Sequence, residues 1–460
     1  MGRTSVTPRR APASRLSGSG RLRSSALGFG ARASRAFGWC ALAIVCGLAA
    51  QAARVARAAP QTTAPQTTAP QTTALHRAVL MSPGGELVFG LSTVLAWPVG
   101  LSNGAEHVPI EVAAQGERLT LRMPPYDSEL VLDVTQRHGD SFSATGTWTK
   151  RSASGEQALA ARVEPWPYVV TDGRGESGPT FQIEGEPLDV AGRWKVQFDG
   201  EPYPAVGVFA AVEGCPGEVR GTFLTTMGDY RYLAGTARGA ELALSCFDGA
   251  HAFLFRARLG DDGRLVGDFW SGASWHQAWS AERDPAAALP DAFTLCRADP
   301  AVRLADIELQ SLAGEMERLG PALGRATLVQ LFGTWCPNCG DAAALMRELR
   351  EAYGPRGLKL IGLAFEAGDD PAAKRARVLD YTRARGADWP IFLAGPPDKR
   401  AARAAFPVLD QVHAYPTTLF VDAEGVVRAV YTGFSGPATG AAHEELKRAF
   451  RAQVERLLGE

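Results

Sequence analysis

The sequence predicts a multidomain protein in which an antiparallel β region precedes a C-terminal α/β domain. Residues 75–283 contain short runs of alternating apolar and polar side chains, separated by Gly, Asp and Pro. Alternation with period two and frequent turn residues indicate antiparallel sheet, as a sandwich or a barrel. From residue 300 onward, continuous apolar runs alternate with runs of helical period. This second pattern predicts a mainly parallel sheet with helices on both faces, which ends in an antiparallel hairpin.

The first 58 residues differ in composition from the rest of the chain. They contain ten of the 48 basic residues, all of them arginine, and no acidic residue. The apolar run at 37–50 is shorter than the ~20 residues that a membrane-spanning helix needs. A basic segment, a short apolar run and then Ala56-Arg57-Ala58 predict a secretory signal peptide over 1–58. If this signal is not cleaved, the same segment would anchor the protein in the inner membrane.

Cleavage of the signal would leave an acidic, exported protein. The remainder has 38 basic and 49 acidic residues, a balance that disfavours binding to nucleic acid. Residues 59–74 carry three copies of Pro-Gln-Thr-Thr-Ala and predict an extended linker, because the repeat has no apolar bulk to bury. The predicted location is the periplasm or cell envelope.

Two β units are predicted between this linker and the C-terminal domain. The turn-rich run GRGESGP at 173–179 separates a β-rich unit over 75–172 from a second unit over 180–283. Consecutive hairpins in the second unit favour an up-and-down meander. Residues 284–299 are a connector to the C-terminal domain at 300–460.

A C-x-x-C motif follows directly after the apolar strand predicted at 327–332. Two cysteines three residues apart on the first turn of a helix lie on one face, near enough to form a disulfide. Unpaired N–H groups and the helix dipole favour an anion at this end, so Cys336 is the expected nucleophile. Cys339, one turn deeper, would resolve a mixed disulfide by attacking the sulfur of Cys336. Trp335 would shield the pair.

The alternative interpretation of the motif is half of a zinc site. No second C-x-x-C is present in the sequence, and His413 and His443, which follow it, lack the spacing of metal ligands. The sequence therefore predicts redox chemistry, with no metal and no cofactor. Cys215 and Cys246 are either a structural disulfide or buried thiols, and Cys296 has no partner that the sequence nominates.

Tyr415-Pro416 precedes a second apolar strand, where an ordinary proline would remove a donor from the sheet. A cis peptide bond here would turn the chain sharply beside Cys336. It would also leave neighbouring backbone groups free to pair with an extended substrate. Pro416 is thus the fourth predicted site residue.

Residues 300–460 resemble the TlpA/ResA-type branch of the thioredoxin superfamily. The strings that carry the resemblance are TLVQLFGTWCPNC, GLKLIGLAFE and YPTTLFVDAEGVV, in the order typical of the family. The resemblance implies a thioredoxin fold, dithiol–disulfide exchange with disulfide-bearing exported proteins, and reactivation by a membrane electron donor. Reduction of these disulfides is the implied direction.

This sequence departs from the family pattern at the buried acid. Gln330 stands where thioredoxin has a buried carboxylate, and Ala342 stands where some reductases of this branch have glutamate. Asp341 and Glu366 are the candidates to accept the proton of the resolving cysteine. His413 is a candidate to influence the thiolate or is a packed loop residue.

Two alternative functions remain open from the sequence. A thiol peroxidase would frame its nucleophile as P-x-x-x-T-x-x-C, whereas Val329 and Gly333 occupy the proline and threonine positions. Residues 221–283 resemble the lipocalin-like unit that precedes thioredoxin domains in some bacterial TlpA-type reductases, and Gly192-Arg193-Trp194 is similar to the lipocalin G-x-W. The second alternative is therefore a ligand-binding envelope protein, with a small apolar ligand in the β unit and an auxiliary redox domain.

Overall fold

A computed structural model describes residues 73–123, 126–152, 155–169 and 180–459. The predicted signal peptide, nearly all of the linker and the predicted break at 173–179 lie outside the described residues. Within the described ranges, no helix is long and apolar enough to cross a membrane.

The first unit is a nine-stranded antiparallel sheet. Its strands are β1 (Thr73–Ser82), β2 (Gly85–Val94), β3 (Trp97–Asn103), β4 (Glu106–Pro109), β5 (Glu111–Gln115), β6 (Arg118–Arg122), β7 (Ser128–His138), β8 (Ser141–Ser152) and β9 (Gly155–Val169). They lie in the order β4-β3-β2-β1-β9-β8-β7-β6-β5. Alternate positions of β6 and the first half of β7 are buried, as the period-two pattern predicts.

The second unit is a closed eight-stranded barrel. Its strands are β10 (Gly192–Phe198), β11 (Ala205–Ala211), β12 (Glu218–Leu224), β13 (Leu233–Arg238), β14 (Glu241–Phe247), β15 (Ala252–Leu259), β16 (Leu265–Ser271) and β17 (Trp275–Arg283). Each strand pairs with the next, and β17 returns to pair with β10. The predicted meander is therefore confirmed, and closure removes the exposed sheet edges.

The nine-stranded sheet and the barrel share part of one apolar core. Phe247 at the end of β14 packs against Phe89 and Trp148 of the sheet, with ring centroids 4.6 and 5.4 Å apart. Asn103 of β3 makes two hydrogen bonds with the backbone of Phe247, at 2.8 and 3.0 Å. These contacts place the end of β3 and the start of β4 beside the barrel.

The C-terminal domain is a seven-stranded mixed sheet with four helices. Its elements are β18 (Glu308–Ser311), β19 (Met316–Arg318), β20 (Ala326–Phe332), α1 (Pro337–Tyr353), β21 (Leu358–Phe365), α2 (Pro371–Arg385), β22 (Ile391–Gly395), α3 (Lys399–Ala405), β23 (Thr417–Asp422), β24 (Val427–Thr432) and α4 (Ala441–Leu458). The strand order is β19-β18-β22-β21-β20-β23-β24. Every residue of β20 is buried, as its continuous apolar run predicts.

The prediction of a mainly parallel sheet is wrong in detail, whereas the predicted antiparallel hairpin at its end, β23–β24, is confirmed. Only the β20–β21 and β21–β22 pairs are parallel, and the other pairs are antiparallel. The sequence pattern did not reveal β18 and β19, because strands of four and three residues are too short to show an apolar periodicity. The pattern also could not give the direction of β23, because the long connection before this strand lets it run either parallel or antiparallel to β20.

Candidate active site

Cys336 caps the N terminus of α1. Its backbone is extended, and its sulfur accepts a hydrogen bond from the backbone N–H of Cys339 at 3.3 Å. Pro337 occupies the first helical turn, where the missing N–H would have no helical partner. The short connection from β20 therefore places the Cys336 sulfur at the helix end that favours negative charge.

The two cysteines differ in exposure. Cys336 is 8% exposed, whereas Cys339 is fully buried, and both are free thiols. Burial raises the pKa of the Cys339 thiol well above its ordinary value, and a hydrogen bond with Cys336 raises it further. The sulfur of Cys336 is therefore the one that can contact a substrate, whereas the thiol of Cys339 needs a base to accept its proton.

Pro416 and Trp335 lie beside this pair, as predicted. The Tyr415–Pro416 peptide bond is cis, and Cys336 Sγ donates to the carbonyl oxygen of Tyr415 at 3.5 Å. The Trp335 ring packs edge-on against the Tyr415 ring with centroids 5.5 Å apart, and its Nε1 donates to Phe365 O at 3.0 Å. The structure thus brings together all four residues that the sequence nominated.

Glu366 is a buried carboxylate directly after β21. It accepts hydrogen bonds from the backbone N–H and the hydroxyl of Thr334 at 2.8 and 2.9 Å, and it pairs with Arg377 at 3.4 Å. Burial raises the pKa of Glu366, and the Glu366 charge contributes to the raised pKa of Cys339. Of the two candidate acids, Glu366 is therefore the one electrostatically coupled to the inner thiol.

The other candidates have different surroundings. Asp341, on the first turns of α1, forms an ion pair with Arg231 of the barrel. Gln330 is buried in β20, and within the described ranges its Nε2 has no hydrogen-bond partner. His413 Nε2 lies 3.0 Å from Thr226 Oγ1, and burial lowers the pKa of this histidine.

Arg231 is a site residue that sequence reasoning missed. Its Nη1 donates to Asn338 Oδ1 of the C-x-x-C at 3.3 Å, and its Nη2 donates to Glu106 Oε1 at 2.8 Å. Its Nε lies 3.4 Å from a carboxylate oxygen of Asp248. Burial raises the pKa of Glu106 to about 7. Most of these contacts join residues more than a hundred positions apart and leave no local pattern, so no signal in the sequence identified Arg231.

The remaining cysteines are also free thiols in the described part of the chain. Cys246 is fully buried in the barrel and Cys296 is buried in the connector, whereas Cys215 is partly exposed. Cys215 and Cys246 therefore do not form the structural disulfide that was one of the two sequence-based alternatives.

The C-terminal domain matches known proteins. Residues 300–430 match the AhpC/TSA family. The thioredoxin-like protein YneN of Bacillus subtilis (strain 168) is 27% identical over 128 residues, 28% of this chain and 68% of that protein. The thiol-disulfide oxidoreductase ResA of Geobacillus thermodenitrificans (strain NG80-2) is 27% identical over 128 residues, 28% of this chain and 66% of that protein. The chain spans about two thirds of the length of these curated relatives.

A solved structure is also similar to this chain. The crystal structure of a thiol:disulfide interchange protein of the thioredoxin family from Chlorobium tepidum TLS is 22% identical. The match covers 35% of this chain and 99% of that chain, with a TM-score of 0.27. Together with the strand order, the curated relatives confirm the predicted resemblance: the C-terminal region is a thioredoxin-like domain related to thiol-disulfide oxidoreductases.

Proposed function

We propose that this thioredoxin-like thiol-disulfide oxidoreductase is exported and reduces disulfides of envelope proteins through Cys336 and Cys339. The observation that carries the proposal is the position of the Cys336 sulfur, at the N terminus of α1 and against the cis Tyr415–Pro416 bond. The names of the relatives, a thiol-disulfide oxidoreductase among them, support this chemistry. The export step rests on the basic and apolar pattern of residues 1–58.

The reaction proceeds by two exchanges at sulfur. The Cys336 thiolate attacks a substrate disulfide, forms a mixed disulfide and displaces one substrate thiolate. The Cys339 thiolate then attacks the Cys336 sulfur, which releases the second substrate thiol and leaves a Cys336–Cys339 disulfide. The substrate gains two electrons and two protons, and a membrane dithiol donor returns them to the protein.

Glu366 is the proton acceptor for Cys339 in this scheme. The pKa of Cys339 is raised by burial, so its attack on the mixed disulfide needs a base. The carboxylate of Glu366 is fixed by both hydrogen bonds from Thr334, and burial raises its pKa toward the range in which a carboxylate is an effective base. We therefore assign Glu366 as the group that takes up the proton of Cys339.

Replacing this carboxylate tests the assignment. We expect Glu366→Gln, which keeps the side-chain shape, to lower turnover by about a hundredfold in an insulin-reduction assay. The wild-type rate should fall as the pH drops through the raised pKa of Glu366, and the variant should lose that dependence. Glu308→Gln, at an exposed ion pair with Arg318 of the same domain, is the control. Equal activity of Glu366→Gln and this control would exclude Glu366 as the acceptor.

The proposed exchange is tested by trapping its intermediate. We expect Cys339→Ser in the full chain to accumulate a mixed disulfide between Cys336 and disulfide-bearing substrates, because the second exchange is removed. Non-reducing electrophoresis and mass spectrometry of the Cys336 peptide measure the adduct. Cys215→Ser, which removes a partly exposed thiol of the barrel, should accumulate none. A Cys339→Ser variant that captures no disulfide substrate argues against exchange chemistry.

The ligand-binding alternative has less support from the barrel. Its core consists of packed aromatic rings whose centroids lie 4.3–6.4 Å apart, and these rings occupy the volume that an apolar ligand would need. The rings belong to Phe198, Phe223, Tyr230, Phe255, Phe269 and Trp279. We therefore place the redox function first.

A further inference from the structure

The loop between β12 and β13 (residues 225–232) reaches from the barrel to the active site. Asn338, between the two cysteines, donates from Nδ2 to the carbonyl oxygen of Asp229 at 3.3 Å. Its Oδ1 accepts from Arg231 Nη1 at 3.3 Å. The loop of the barrel therefore bonds both the amide nitrogen and the amide oxygen of the Asn338 side chain.

The same loop contacts two other segments near Cys336. Thr226 Oγ1 lies 3.0 Å from Nε2 of His413, which precedes the cis proline by three residues. Gly433, directly after β24, has a left-handed backbone with φ of +80° and donates its N–H to Pro416 O at 3.0 Å. A Cβ at Gly433 would lie 2.6 Å from Thr226 O, so only glycine allows the two backbones to approach this closely.

Buried polar contacts fix the loop in this position. Asp229 and Arg231 are 8% and 6% exposed. Asp229 Oδ2 accepts from the backbone N–H of Gly436 at 2.6 Å, and Arg231 pairs with Asp341 of α1. Moving the loop away from the C-terminal domain would break both contacts, which is costly for charged groups in a buried setting. The loop is therefore a fixed part of the surroundings of the active site.

We propose that the β12–β13 loop is a steric barrier that limits the substrates of Cys336 to disulfides on extended peptide segments. The loop covers the active site where Asn338, His413 and Gly433 lie. Trp335 lies on another side of the active site and is 37% exposed. An extended segment fits the approach past Trp335, but the surface of a folded protein meets the barrel before it meets the Cys336 sulfur. This inference rests on the proposed function, because it concerns which disulfides reach that sulfur.

The test compares how fast reagents of two sizes alkylate Cys336 in the reduced full chain. The small reagent is N-ethylmaleimide and the bulky one is a maleimide coupled to lysozyme, with rate constants measured on the Cys336 peptide by mass spectrometry. Arg231→Lys keeps the positive charge but cannot bond Asn338, Asp341 and Glu106 at once. We expect this variant to raise the bulky-to-small rate ratio about tenfold, because the loop opens more often.

Two further variants make the result decisive. Arg258→Lys, at an exposed barrel ion pair with Glu241, should leave the ratio unchanged. If Cys339 also becomes alkylated in Arg231→Lys, that variant has unfolded locally. The Thr226→Ala variant then decides, because it removes only the hydrogen bond with His413 and leaves no buried charge without a partner. An unchanged ratio in the folded variant overturns the proposal. Failure of the proposed function would instead appear as no reduction, by the wild-type protein, of a disulfide between two short unstructured peptides, whatever the ratio.

Discussion

Replacing Cys336 with serine should lower disulfide reduction by at least about a thousandfold, the largest effect of any single substitution in the chain. The hydroxyl of serine cannot attack a disulfide at neutral pH, and the fully buried Cys339 cannot reach an external substrate. Insulin reduction by the full chain, with a dithiol as electron donor, measures the loss.

A matched control separates this loss from a general effect of removing a thiol. Cys296 is buried in the connector, outside the C-x-x-C, and Cys296→Ser should keep nearly the full rate. Substantial activity in Cys336→Ser would show that another thiol starts the reaction, and the proposed mechanism would have to be abandoned.

Arg231→Met should destabilise the folded protein by about 3–5 kcal/mol. The substitution removes the guanidinium that pairs with Glu106, Asp248 and Asp341, so three largely buried carboxylates lose this cation. Burial already raises the pKa of Glu106 to about 7, above the pKa that this carboxyl has in the unfolded chain. The contribution of Glu106 to the free energy of unfolding therefore falls as the pH rises. Arg231→Met raises the pKa of Glu106 further. We therefore expect the loss in free energy of unfolding, relative to the wild-type protein, to be larger at about pH 8 than at about pH 6.

Urea unfolding of the full chain at the two pH values measures the deficit. The control is Arg258→Met, which removes an exposed ion pair with Glu241 and should cost no more than about 1 kcal/mol. If the two variants were equally stable, the cluster around Arg231 would contribute little to the free energy of unfolding.

The sequence predicted most of the architecture through local patterns. Period-two alternation identified the strands of the barrel, and hairpin spacing identified its meander, because both properties arise between neighbours in the chain. The same approach missed α3 (Lys399–Ala405) and the strands β18 and β19 of the C-terminal sheet. These elements are short and polar, so contacts with the rest of the domain decide their structure.

The sequence by itself predicted the redox chemistry that we propose for the site. The spacing of Cys336 and Cys339 at a strand-to-helix junction, with Pro416 before a later strand, indicated redox exchange because these features depend on local backbone geometry. Only the tertiary structure decided that Glu366 rather than Asp341 is coupled to Cys339, and that Arg231 holds Asn338. Burial and charge pairing depend on which distant segments pack together, and no pattern of neighbouring residues encodes that packing.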